Sequence, residues 1–385
     1  MGKNFTMVAK TLFGFEEILA IELHNLGALD IKKGVRSVSF EGDNGMMYKA
    51  NLACRTAIKI LKPIYSFDIK NEDELYKNIY EIDWNEFLNI DKTFAIDATI
   101  HSDFFNHSKY IALKTKDAIV DKFRDQFGKR PSVDTENPDL RINVHIHQST
   151  CTVSLDSSGN SLHMRGYRTD TNIAPINEVL AAGLLLLSGW QGQCNFIDPM
   201  CGSGTILIEA AMIACNIPAN IHRKEFACEL WQDYDNSLFK RMKENLLKNT
   251  REFHFEIQGY DIDFSSIKKS KININNAMVD EYIDVKKINF FDTEKQNDDA
   301  LHILFNPPYD ERISIDTETF YDQIGDTLKQ HYANTKAWMI TGNLEALKFV
   351  GLKPSHKIKV FNGALEARLV CYDIYEGSKK NKTAE

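Results

Sequence analysis

From about residue 165 onward, strand-like and helix-like patterns alternate, and this alternation restricts the fold more than any other feature. Apolar spacing predicts a helix over 177–188, a strand over 194–198 and a helix over 204–215. Strand 254–261, helix 264–276, strands 283–288 and 301–305, helix 317–331 and strand 335–340 continue the series. Parallel neighbours need a crossover long enough to hold a helix. The expected architecture is therefore α/β, a mostly parallel sheet with helices on both faces. Ile358–Asn362 and Ala364–Tyr375 read as a closing antiparallel hairpin through Asn362-Gly363. In open parallel sheets, ligands sit at the carboxyl ends of the strands, so chemistry-bearing motifs are sought there.

The first 155 residues have a different texture. Phe5–Ala9 reads as a strand, Gly14–Leu26 as a helix stopped by Gly27, and Val35–Glu41 as an alternating strand. A second small α+β zone, from about 60 to 155, places strands at Thr93–Ile100, Arg141–His147 and Cys151–Ser157, with a helix from about Lys109 to Phe127. The longest apolar run, Val179–Leu187, is about half of what a membrane helix needs. The N-terminus lacks the apolar h-region of a signal peptide. Seven cysteines are scattered without a CxxC pair, so neither a disulfide framework nor a metal site is expected. These features point to a reduced, cytoplasmic protein.

Three motifs fall at strand ends. Asn195-Phe196-Ile197 runs into Asp198-Pro199-Met200-Cys201-Gly202-Ser203-Gly204-Thr205 and then a helix. Two glycines there let backbone N–H groups approach a ligand. No lysine follows the second glycine, so this is not a P-loop, and Leu207 breaks the dinucleotide pattern. The carboxylate of Asp198 suits a ligand carrying a positive amino group. Asp261 closes the next strand, placed to accept from ribose hydroxyls, and Asp292 closes the third, where it could accept from an adenine amino group. Either aspartate alone is more often a helix N-cap, a role that Asp263 fits better, and their position at successive strand ends is what raises them. Leu301–Phe305 ends in Asn306-Pro307-Pro308-Tyr309. The prolines stiffen the turn and remove donors. That leaves the Asn306 and Pro307 carbonyls as acceptors for the two N–H groups of an exocyclic amine, with Tyr309 as a stacking face.

Together, DPMCGSGT and NPPY resemble the amino-methyltransferase class of S-adenosylmethionine (SAM) enzymes. Arg165-Gly166-Tyr167-Arg168, Ala174-Pro175-Ile176-Asn177-Glu178, Leu180–Gly183, the insertion Phe226–Trp231 with Asp235, and Asn362-Gly363 extend the likeness. They resemble the THUMP-domain RNA guanine-N2 methyltransferases, and within these the family of the large-subunit ribosomal RNA methyltransferase L in stand-alone form. The resemblance implies a Rossmann-like SAM-dependent methyltransferase with a seven-stranded, mostly parallel sheet over 165–385. It implies an N-terminal ferredoxin-like unit over 1–60 and a THUMP RNA-binding unit over 61–160. SAM would be held by Asp198, Cys201, Gly202, Ser203, Gly204, Asp261 and Asp292, with Asn177 helping to close the pocket. Asn306, Pro307, Pro308 and Tyr309 would hold the target amine. Met200 stands where the family commonly has Phe, and Asp310 where it usually has Gly.

The implied partner is ribosomal RNA of the large subunit. The chain carries 46 basic and 54 acidic residues, a net charge of -8, and its first 164 residues hold 20 basic and 23 acidic side chains. Neither half is basic, so any RNA contact is expected to use a restricted surface. The helix around 109–130 carries a local excess of four: Lys109, Lys114, Lys116, Lys122, Arg124, Lys129 and Arg130 against Asp117, Asp121 and Asp125. A solvated helix face is the plain alternative. NPPY does not choose its base, so an adenine-N6 DNA or RNA methylase and a catalytically silent RNA-binding assembly factor stay open.

Overall fold

The computed structural model describes residues 3–169, 176–308 and 316–376. The N-terminal half runs β1 (Phe5–Thr11), α1 (Glu16–Asn25), β2 (Leu29–Gly34), β3 (Ser37–Gly42), α2 (Asn44–Ala53), β4 (Ala57–Asp68), α3 (Glu72–Glu81), β5 (Thr93–His101), α4 (Ser108–Phe127), β6 (Ser132–Val133), β7 (Leu140–His147) and β8 (Thr150–Asp156). These strands form one sheet in the order β2-β3-β1-β4-β8-β7-β5-β6. Residue 60 falls inside β4, which pairs with β1 on one side and β8 on the other, so both N-terminal zones share that strand. The register of β4 against β8 shifts between Pro63 and Tyr65. A proline without its N–H at such a bulge lets a long strand change direction. Alternate side chains such as Met7, Ala9, Phe40, Ile142, Val144 and Ile146 are buried in one core with Leu19, Leu23, Ile79, Ala118 and Phe123 from the helices.

The second half runs α5 (Glu178–Leu187), β9 (Asn195–Asp198), α6 (Thr205–Ala214), α7 (Asn236–Leu247), β10 (Ile257–Asp261), α8 (Phe264–Asn276), β11 (Ile283–Lys287), β12 (Leu301–Phe305), α9 (Thr317–His331), β13 (Thr335–Thr341), β14 (His356–Asn362) and β15 (Leu365–Ile374). Its seven strands are ordered β11-β10-β9-β12-β13-β15-β14. The first five pair in parallel and β15 runs antiparallel to both its neighbours, as the alternation predicted. The sheet is buried between apolar helices: all ten residues of α6 are buried.

The halves are locked together. Residues 226–247 leave the second sheet and return to the first half, where Phe226, Cys228, Trp231 and Phe239 join the N-terminal core. Tyr48 of α2 stacks edge-on against Tyr234 and Phe239 and accepts the Asp235 N–H at 3.1 Å. Beneath them, the fully buried Arg165 pairs with Glu209 of α6 at 3.3 Å and donates to the carbonyls of Leu162 and Arg55 and to Asn220. Arg55 in turn donates to the carbonyls of Met212 and Ile217. A buried ion pair persists only where its remaining donors are satisfied, and here the Leu162 and Arg55 carbonyls with the Asn220 side chain satisfy those of Arg165. All seven cysteines are buried and unpaired. Among the described residues, no helix is long and apolar enough to cross a membrane.

Candidate active site

The carboxyl ends of β9, β10 and β12 lie side by side, because Ile197 pairs with Ile303 and Asp198 with Gly259. β9, first in the series, stands between the second strand β10 and the fourth strand β12. The chain order therefore reverses at the β9–β12 boundary. Connections leave on opposite faces at such a point, and a crevice opens above the strand ends.

One wall of the crevice is the glycine-rich loop between β9 and α6. Gly202 and Gly204 have φ of +53° and +82°, left-handed values that cost a side chain about 1–2 kcal/mol. The loop is fastened to β10: Cys201 N–H donates to the Tyr260 carbonyl at 2.8 Å and Gly202 N–H to Asp261 Oδ2 at 2.9 Å. Asn273 of α8 donates from Nδ2 to the Ser203 carbonyl at 3.1 Å. Cys201 and Ser203 are both buried, and Cys201 packs into the core of the second half.

Asp198 is 1% exposed, and its Oδ1 accepts the Met200 N–H at 3.2 Å. Burial holds its carboxyl well above the usual carboxylate range, and the neighbouring Asp261 adds to the rise. Burial also raises Asp261, against backbone N–H donors from Asp263 and Gly202 that lower it. Among the described residues neither aspartate enters an ion pair. A ligand bringing positive charge into this corner would relieve both. Asp261 keeps acceptor capacity on each oxygen beyond the two backbone bonds, which fits a vicinal diol.

The other wall is the turn after β12. Asn306, Pro307 and Pro308 follow Phe305 directly, with Pro307 buried and the other two half-buried. Tyr309, Asp310, Glu311 and Arg312 lie outside the described residues, as do Ala174 and Pro175. Asp292 ends a short 3₁₀ turn after β11, exposed, with its N–H on the Asn289 carbonyl. Asn177 caps α5, its Oδ1 accepting from Val179 and Leu180 at 2.9 and 3.2 Å. Asp263 caps α8, as its position suggested.

Sequence reasoning left Arg168, Glu178 and Asn273 without roles. Arg168 reaches the Ile176 carbonyl at 3.0 Å, Thr205 Oγ1 at 2.6 Å and Glu178 Oε1 at 3.3 Å. It thereby ties the segment before α5 to the first residue of α6. Burial pushes the Glu178 carboxyl up to about 7, against the pull of Arg168. The available signal was a lone carboxylate opening the otherwise apolar α5, facing an arginine ten residues earlier.

The cations of α4 are largely engaged within the protein. Lys114 pairs with Asp73 at 2.9 Å and lies over Tyr76, Lys116 pairs with Asp117, and Arg124 pairs with Asp121 at 3.1 Å. Lys122 lies 5.0 Å from the Tyr80 ring, whose hydroxyl donates to Asp125. Lys109 is exposed and forms no ion pair among the described residues.

Comparison with known proteins agrees with this geometry. Residues 165–370 match the family model of the RMKL-like methyltransferase domain, residues 69–156 that of the THUMP domain, and residues 6–61 that of the RlmL ferredoxin-like domain. A putative RNA methyltransferase from Synechocystis sp. is 37% identical over 374 residues, covering 96% of each chain. The ribosomal RNA large subunit methyltransferase K/L of Syntrophotalea carbinolica is 36% identical over 377 residues, 94% of this chain and 53% of the relative. The chain thus spans about half the length of the K/L relatives it matches. A crystal structure of a putative methyltransferase complexed with SAH (S-adenosylhomocysteine) superposes with a TM-score of 0.87 at 29% identity, over 98% of this chain and 100% of that one. With a reversal-point crevice, a glycine-rich loop held on a strand-end aspartate and the family match over more than half its length, the chain belongs to the RMKL-like methyltransferase family.

Proposed function

We propose that the chain is a SAM-dependent RNA methyltransferase that transfers a methyl group to the exocyclic N2 of a guanine in large-subunit ribosomal RNA. The observation that carries this reading is the Asn306-Pro307-Pro308 turn standing across the β9–β12 crevice from the glycine-rich loop. The residues present fit SAM. Asp198 is buried and Asp261 half-buried, neither paired with a cation among the described residues, and the left-handed Gly202 and Gly204 allow close approach of the loop backbone. Asp198 would take the positive amino end, Asp261 the ribose hydroxyls and Asp292 the adenine edge, with Arg168 and Asn177 holding the segment that closes the pocket.

Bound SAM supplies an electrophilic methyl group carried on a sulfonium. The remaining work belongs to the strand-end acceptors. A guanine amino group is a poor nucleophile because its lone pair is delocalised into the ring. The Asn306 carbonyl and the Pro307 carbonyl would accept its two hydrogens and turn the lone pair toward the methyl group. As positive charge grows on nitrogen, the same acceptors bind it more strongly, and that difference lowers the barrier. Positioning supplies the rest, and the nucleotide must leave its stack to reach the turn.

The test uses purified chain, SAM and deproteinised large-subunit ribosomal RNA from a strain lacking the gene, followed by mass spectrometry of the nucleosides. N2-methylguanosine is the expected product. N6-methyladenosine would move the chain to the adenine class. No methylation, with SAM bound normally, would make it a binding factor.

A further inference from the structure

The cations of α4 that the sequence singled out are mostly neutralised by neighbouring acids, whereas another surface leads directly from the catalytic end. β15 runs antiparallel to β13 with Arg368 opposite Thr341, so the β14–β15 hairpin rises beside the carboxyl ends of β12 and β13. On that hairpin Lys359 and Arg368 share one acid, Glu366, at 2.6 and 2.8 Å, leaving one cation in excess. Lys359 lies 5.2 Å from the Phe361 ring, and Phe361 meets Phe13 edge-on at 5.5 Å. Phe13 is 43% exposed although it bridges the two halves.

Phe13 lies just beyond β1, whose last outward-facing side chain is Lys10. Thr11 N–H donates to the Arg36 carbonyl at 3.0 Å, which brings the exposed Arg36 alongside. Neither Lys10 nor Arg36 forms an ion pair among the described residues, and burial together with the Arg36 charge lowers the Lys10 pKa. Two unpaired cations held this close repel each other, and a bridging anion would stabilise both. Beyond them, on the side of the sheet away from the helix-covered core, His145 lies against His101 with ring centroids 5.8 Å apart, and His147 pairs with His101 across β5 and β7. Lys10 is near enough for its charge to help burial hold His145 down at about 4. The imidazole is therefore neutral at pH 7 and offers a flat face with one donor and one acceptor. Cations that can meet phosphates, followed by flat rings, are what an unpaired RNA strand requires.

Resting on the proposed RNA methyltransferase reading, we propose that the single strand adjoining the target nucleotide leaves the β12 end over Phe361 and Phe13, passes Lys10 and Arg36, and lies on the His101–His145–His147 face. It does not run along α4.

The test measures binding of full-length protein to deproteinised large-subunit ribosomal RNA across a potassium chloride series. Each phosphate contact to a single strand contributes about 0.7 to the slope of log affinity against log salt. The K10A/R36A double variant is expected to lower that slope by about 1.4 and to weaken binding, whereas K114A/K116A keeps the wild-type slope. F13A/F361A is expected to weaken binding at least about thirtyfold with the slope unchanged, since each stacked base is worth about 1–3 kcal/mol. Affinity for SAH, measured on each variant by calorimetry, certifies that the crevice is folded. Crosslinking with 4-thiouridine-substituted RNA should label peptides around Phe13 and His145. A wild-type slope in K10A/R36A, or a loss of slope in K114A/K116A instead, overturns the path while leaving the methyltransferase reading intact if wild-type protein still methylates the RNA. Wild-type protein that neither binds nor methylates RNA overturns both.

Discussion

Replacing Gly204 by alanine probes the glycine-rich loop at its most constrained point. Gly204 adopts φ of +82°, a left-handed value that costs an L-residue about 1–2 kcal/mol. A Cβ there would overlap Ser270 Oγ of α8 and come within 3.3 Å of Ser270 Cβ. Ser270 is fully buried, so the strain cannot be released into solvent, and overpacking of this kind costs about 1–3 kcal/mol more. A loss of about 3 kcal/mol is expected in the transition that unfolds the methyltransferase half. For a unit of that size this is about 6–12 °C in Tm. The loop also moves relative to Asp261, so SAH affinity should fall at least about tenfold. Differential scanning calorimetry with and without SAH, paired with titration calorimetry, reads both effects. The G204A/S270A double variant removes the hydroxyl overlap but keeps the backbone strain. It should recover about half of the stability, and the two changes should be strongly non-additive because they share one contact. A G204A protein with stability within about 0.5 kcal/mol of wild type and unchanged SAH affinity would refute the account of this loop.

Other perturbations report on separate parts of the molecule. Asp261→Asn should weaken SAH binding about tenfold to a hundredfold, the worth of a charge-assisted hydrogen bond, as measured by titration calorimetry. His302 is 7% exposed between Trp190 and Phe196, and burial lowers its pKa to about 4 from an ordinary value of 6.5. The unfolded chain then binds more protons between those values, so stability is lost as pH falls from about 6.5 to about 4, by about 3 kcal/mol in all. H302F should remove that share of the acid limb, and leave the share of His145, in denaturant unfolding measured at a series of pH values. Arg165→Met strands Glu209 in the buried joint between the halves and should cost about 3–5 kcal/mol, while R165M/E209M should regain much of it.

How much could be read from the sequence depended on how local each determinant is. The β9–α6 turn and the β12 turn could be placed because their glycines, prolines and terminal acids sit directly at the ends of apolar strands. β4 gave little sign of itself. Its burial pattern changes phase around the bulge at Pro63, so Ala57–Asp68 lacks steady alternation. The predicted strand 254–261 begins only at Ile257, with the Glu256 N–H donating to the Asn195 side chain instead of to a strand carbonyl. α2 was missed although its cap was visible: Asp43 accepts the Met46 N–H at 3.0 Å. The insertion Phe226–Trp231 with Asp235 was legible as a family likeness, but the docking of α7 behind it depends on Phe239 meeting Tyr48, far away in the chain. The same distance hid the joint, where Arg165 finds Glu209 and the Arg55 carbonyl. On α4, the sequence counted charges correctly, yet pairing partners such as Asp73 come from another helix and cannot be counted locally.

The central claim is that the carbonyls of Asn306 and Pro307 hold the target amine next to a separately formed SAM pocket. Single-turnover methylation by Asn306→Ala, measured beside SAH titration on the same preparation, tests it most directly. Removing a preorganised group that acts only in the transition state costs about a hundredfold to a thousandfold in rate. The account predicts such a loss with SAH affinity within about twofold of wild type. Near-normal turnover, or a rate loss matched by an equal loss of SAH affinity, would contradict it.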